Sequence, residues 1–137
     1  MENIYKAIYA AFTAGDGDAT SFYTAVGGRL YNGRAPQNTA WPYAVYHLVS
    51  EVPDWVFSNN KDFRDCLIQF NLFSRTNGAA EIEGMYTKLN TLYHKATLSI
   101  IGYRHLDIVR QLTTRFIDSD DIWNYICEFR LTVRETT

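Results

Sequence analysis

The chain has 137 residues, 47% hydrophobic and 15% aromatic, a composition that folds rather than staying disordered and a length that suits one domain. Thirteen Lys and Arg against 15 Asp and Glu leave a net charge of −2, without the basic surplus of a protein that grips nucleic acid by its phosphates. No uncharged run is long enough to cross a bilayer, and "MENIYKAIYAAF" lacks the pattern of a secretion signal, so a cytosolic origin is the default expectation.

In chain order, "ENIYKAIYAAFTA" sets Ile4, Ala7, Ile8, Ala11 and Phe12 at helical spacing, and the glycines of "GDGD" stop that helix. "DATSFYTAVGG" reads as a short helical turn, with Asp18 or Thr20 expected as its cap and Gly27 or Gly28 as its stop. "RLY" can start a strand, and "NGRAPQNTA" is turn chemistry. "WPYAVYHLV" gives a strand from Tyr43 to about Ser50, its first proline biasing Trp41 toward extended backbone. In "RDCLIQFNLFSR", Cys66, Ile68, Phe70 and Leu72 alternate with Leu67, Gln69, Asn71 and Phe73, so the two strands should form a long antiparallel hairpin around the Asn-Asn turn of "SNNKDF".

The strongest helical pattern is "AAEIEGMYTKLNTLYHKA", with Ile82, Met85, Tyr86, Leu89, Leu92 and Tyr93 on one side. "YRHLDIVRQLTTRFI" reads as a strand and the acidic "DSDD" as a hairpin tip. "IWNYICEFRLTVRE" reads as a one-sided strand with Trp123, Tyr125, Cys127, Phe129, Leu131 and Val133 on one face. This order implies an α+β fold, with helices packed on one face of a mostly antiparallel (mixed) β-sheet carrying a long hairpin, in a single domain over residues 1–137.

Chemical motifs are absent from this pattern. The glycines of "GGRLYNG" follow a helix and precede a strand, the reverse of a phosphate-binding loop. "GDGDAT" sets Asp16 and Asp18 as the first and third places of a calcium loop, but Ser21 stands where glycine and Gly27 where glutamate are needed. His47, His94 and His105 are scattered, and Asp118, Asp120 and Asp121 read as a solvated tip rather than a cation site. Cys66 and Cys127 read as buried free thiols, open to being neighbours across a sheet. No serine sits in a nucleophile elbow and neither cysteine in an activating context, so neither enzyme activity nor a cofactor or metal is expected. Arg29 and Arg34, in a loop with Trp41, are better read as packing or protein contacts than as a base-stacking site.

The succession of a short N-terminal helix, "GGRLYNGRAPQNTAWPYAVY", a long hairpin with "RDCLIQFNLFSR", an amphipathic helix and "WNYICEFRLTVRE" resembles the tail-completion, or tail terminator, proteins of long-tailed (siphovirus-like) bacteriophages. Gly28, Arg29, Leu30, Tyr31, Pro36, Gln37, Pro42, Tyr43, Val45 and Tyr46 fill the family's recurring segments. The resemblance implies a virion protein of the tail and neck, made in the bacterial host cytoplasm. It also implies a homo-hexameric ring that caps the tail tube, ends its polymerisation and offers a head-tail joining surface, with DNA passing through without specific binding. The expected partners are further copies of itself, the tail tube protein and the head-completion, or stopper, protein. A subunit of this length has a radius of gyration of roughly 14 Å, and six such globules in a ring leave a hole of roughly 35 Å, wide enough for a duplex. Arg29 and Arg34 are the expected cations of a subunit interface, facing Asp118, Asp120 and Asp121, and Trp55 and Phe57 on the 53–63 hairpin are the expected tail-tube contact. The competing expectations are another neck adaptor or head-completion protein, or a small α+β protein-binding module.

Overall fold

The structure is a computed structural model describing residues 2–54, 63–75 and 78–135. Its elements in chain order are α1 (Glu2–Thr13), α2 (Phe22–Ala25), β1 (Leu30–Asn32), β2 (Tyr43–Asp54), β3 (Phe63–Ser74), α3 (Ala80–Tyr93), β4 (Tyr103–Ile117) and β5 (Trp123–Glu135). The strands form one sheet in the order β1-β2-β3-β5-β4. β1 runs parallel to β2 and every other neighbouring pair is antiparallel, so the expected mixed α+β architecture is present.

Alternation decides which face is covered. Ala44, Tyr46, Ile68, Phe70, Leu72, Cys127, Phe129, Leu131 and Val133 share the buried face with Ile108 of the edge strand. Against them lie Ile4, Ile8 and Phe12 of α1, Phe22 of α2, and Ile82, Met85, Leu89 and Tyr93 of α3. Burying a side chain of this size contributes roughly 2 kcal/mol, so the helical face carries most of the stabilisation. Tyr93 ties two helices together: its ring stacks on Phe70, with centroids 4.9 Å apart, and its hydroxyl donates to the Ile8 carbonyl at 2.8 Å.

Two local expectations are corrected. The cap of α2 is Ser21, whose Oγ accepts from the Thr24 amide, whereas Asp18 takes the Thr20 amide and hydroxyl in the preceding turn. Ser21 wins because it stands immediately before the first helical residue in extended backbone, the geometry that a cap requires. β2 also runs on to Asp54, past a bulge between Leu48 and Ser50 that the bare alternation does not reveal. Gly27 and Gly28 both stop α2, with φ of 59° and 75°, and their amides donate to the carbonyls of Thr24 and Tyr23.

Candidate assembly surface

Arg29 leaves the α2 stop and turns back onto its own chain. Its Nε donates to the Pro42 carbonyl at 2.9 Å and its Nη2 to the Trp41 carbonyl at 3.2 Å, fixing the cis Trp41-Pro42 peptide at the mouth of β2. Trp41 packs on Tyr43 and Tyr43 on Phe73, each pair with centroids 4.9 Å apart, and the Arg75 guanidinium lies over Trp41 at 5.3 Å. The sequence gives no sign of the Arg75 contact, because 34 positions separate it from Trp41 and no periodicity links them. Arg34 is exposed in the turn that follows β1, where the Gly33 amide donates to the Tyr46 carbonyl.

At the opposite edge of the sheet, the turn between β4 and β5 is built around Asp118. Its Oδ1 accepts from the amides of Asp120 (2.9 Å) and Ile122 (3.1 Å), and its Oδ2 accepts from the Asn124 amide group (3.2 Å). Those bonds, the Ile122 amide first, favour the charged carboxylate and hold Asp118 below the usual carboxylate range. Asp120 and Asp121 are exposed. Within one chain the arginines and aspartates do not meet, since β1 and β4 are the two outermost strands. A contact between them therefore joins two copies or does not exist. Trp55 and Phe57 lie outside the described residues.

The sheet face away from the helices is uncovered by any described element. Tyr31, Tyr43, Val45, Leu67, Phe73, Ile126, Leu112 and Phe116 share it with polar groups by the register of the strands. Asp65 is held there by Arg130 at 2.7 Å and by the Thr132 hydroxyl at 2.9 Å, and the Arg130 bond is the main reason its carboxyl titrates low. On the helical face, Arg64 is shared by the carboxylates of Glu51 and Glu135, and Arg115 of β4 pairs with Glu83 of α3. A groove of about 670 Å³ lies between α1 and the β1–β2 edge, with Tyr5, Tyr9, Asn32 and Tyr46 among its walls.

Among the described residues, the remaining titratable groups do not converge. His47 lies on β2 and His105 on β4, while His94 at the end of α3 accepts from the Arg110 amide at 3.0 Å. Among the described residues, no three His, Cys, Asp or Glu side chains could together hold a metal ion. Cys66 and Cys127 are both buried free thiols. They occupy adjacent strands but face Leu131 and Phe70 respectively, four positions apart in register, so they are not cross-strand partners. Burial pushes Cys66 up to about 11 and Cys127 up to about 12, keeping both as thiols.

Among the described residues, the sheet is backed by helices on one face and uncovered on the other. The chain belongs to the family of tail completion protein gp17, whose match spans residues 6–134. It is accordingly a tail structural protein. Its fold is similar to that of a chain in the virion of a native gene transfer agent particle, with a TM-score of 0.74 at 17% identity over 95% of this chain and 96% of the other. A second solved chain has a TM-score of 0.52 at 14% identity, over 97% of this chain and 96% of its own. No curated protein matches the sequence.

Proposed function

We propose that six copies of this chain form a ring on the end of the tail tube, ending its polymerisation and presenting the surface to which the head-completion, or stopper, protein joins. The observation that carries this reading is the one-sided sheet in a tail-completion protein: α1, α2 and α3 all bury one face, while the other face and long stretches of both edges remain available for contact. DNA passes through the lumen without specific contacts, in keeping with a subunit of net charge −2 that offers phosphates no counterion release.

Arg34 and the 118–121 turn are the charged pair of the subunit boundary. Their positions at opposite edges of one sheet suit a head-to-tail contact, which closes into a ring when the rotation between copies allows it. Arg29 contributes by fixing the loop that carries Arg34, with Nη1 as its donor beyond the two intrachain bonds. Trp55 and Phe57 are the tail-tube contact, a role that rests on the preference of interfaces for aromatic anchors.

Light scattering of the purified protein over a range of salt and concentration, with and without tail tubes, tests the ring. A sixfold mass is expected, and a single-chain mass under every condition sinks the reading. Arg34→Asp should weaken the ring and Asp120→Arg added to it should restore it; assembly unchanged by Arg34→Asp removes the charged pair. Trp55→Ala should lower binding to tubes while leaving the ring intact.

A further inference from the structure

β4, and β2 beyond the end of β1, each carry a stretch of edge with no described partner. Along β4, the Lys95 amide donates to the Ile108 carbonyl at 2.7 Å and His94 accepts from the Arg110 amide, so the segment after α3 covers the outer edge at 108–110. From 111 to 117 no described group bonds to that edge. Leu112, Phe116 and Ile117 there are 51%, 44% and 49% exposed, with no proline or lysine to discourage pairing. Along β2, β1 covers 44–46 and the Tyr5 hydroxyl takes the Leu48 amide at 3.1 Å. From 49 to 54 the edge has no described partner and Val49 is 46% exposed, although Pro53 within it has no N–H to donate, so the pairing there rests on the amides on either side of it.

We propose that residues 111–117 of β4 in one copy pair antiparallel with residues 49–54 of β2 in the next, so that the sheet continues from subunit to subunit. This inference rests on the ring reading and specifies its joint. Direction is the first support. Three antiparallel steps separate β2 from β4, so these strands run oppositely, and a neighbour of the same orientation places its β2 antiparallel beside β4.

Charge is the second support. Pairing the midpoints of the two stretches brings Arg115, which within its own chain pairs with Glu83 of α3, close to Glu51 as a second carboxylate, and both project from the helical face by register. Glu51 and Glu135 share one guanidinium, that of Arg64, so that site favours a further cation. The same alignment ends the incoming strand where β1 stops, beside Gly33, and delivers the Asp118, Asp120 and Asp121 turn to Arg34.

The offset between the stretches is the third support. Val52 is level with Asp107 across the sheet, whereas the midpoint of 111–117 is Thr114, seven residues on, one of them absorbed by the bulge between Arg110 and Leu112. Each copy is thus stepped by about six residues, or about 20 Å, over four strand spacings totalling about 19 Å. Strands stepped in that ratio tilt by about 45° to the ring axis, at the upper end of the roughly 35–45° at which strands tilt in closed barrels.

Hydrogen exchange on the wild-type protein, compared between its assembled and dissociated forms, tests the joint. Outward amides in 111–117 and 49–54 should slow by at least about tenfold on assembly. The paired variant Leu112→Lys with Phe116→Lys, at exposed positions that leave the core intact, should keep its thermal midpoint and raise the concentration needed for assembly by at least about tenfold. A ring whose 111–117 amides exchange as in the single chain, or one unaffected by the two lysines, overturns the strand joint and leaves the ring standing. A chain that stays single with and without tail tubes overturns the ring reading and the joint with it.

Discussion

Asp118 shows how one side chain can set a turn. Its carboxylate takes two amides and one side-chain amide of the β4–β5 connection, and Asp121 beside it adopts a left-handed backbone with φ of 59°. Because its carboxyl titrates lower in the fold than in the open chain, its contribution is fully present above about pH 4 and is lost as pH falls through the lowered native value. Asp118→Asn should therefore lower the thermal midpoint at pH 7 and flatten its acid dependence, with the two proteins converging near the low end of a pH series read by circular dichroism. A variant whose midpoint tracks the wild type at every pH contradicts this role. The cysteines give a second residue-scale test. With thiols pushed to about 11 and about 12 by burial, neither Cys66 nor Cys127 should react with a thiol reagent at pH 8 until denaturant is added. Rapid labelling of the folded chain would show that the sheet opens there.

The helices matter through what they bury. Tyr93→Phe removes the hydroxyl that joins α3 to the Ile8 carbonyl of α1, a carbonyl that keeps its helical partner, for an expected loss of about 0.5–1.5 kcal/mol in denaturant unfolding. Phe129→Ala, beneath α3 and edge-on to Phe70 at 5.7 Å, should cost about 3–5 kcal/mol because it opens a cavity where strand and helix cannot collapse. A loss under 1 kcal/mol at Phe129 would mean that the core repacks freely. These elements were legible in the sequence because their patterns are strong: the alternation of β3 and β5 and the 3.6-residue spacing of α1 and α3 each mark a face buried on one side only. The bulges of β2 and β4 and the cap at Ser21 were not legible, since each depends on local backbone geometry that neighbouring Asp, Thr and Ser residues could equally serve. Arg29 was legible as a notable residue but not as a clamp on Trp41 and Pro42, because the turn between them erases any spacing rule.

At the scale of the molecule, what matters is where the sheet ends. The sequence reads β4 as a strand without saying where it lies in the sheet; β5 lies between β3 and β4, so β4 takes the edge with Leu112, Phe116 and Ile117 exposed. No pattern along the chain could reveal this, because strand order is a property of the folded sheet. An apolar edge of that length on a free subunit is an aggregation hazard unless another chain covers it, and the proposed head-to-tail ring would cover it with the opposite edge of the next copy. The measurement that tests this most directly is imaging tail tubes assembled with the purified protein and counting its copies at the tube end. Six copies in a closed ring at one end of each tube is the expected result. Bare tube ends, or single copies scattered along the tube wall, would contradict the account.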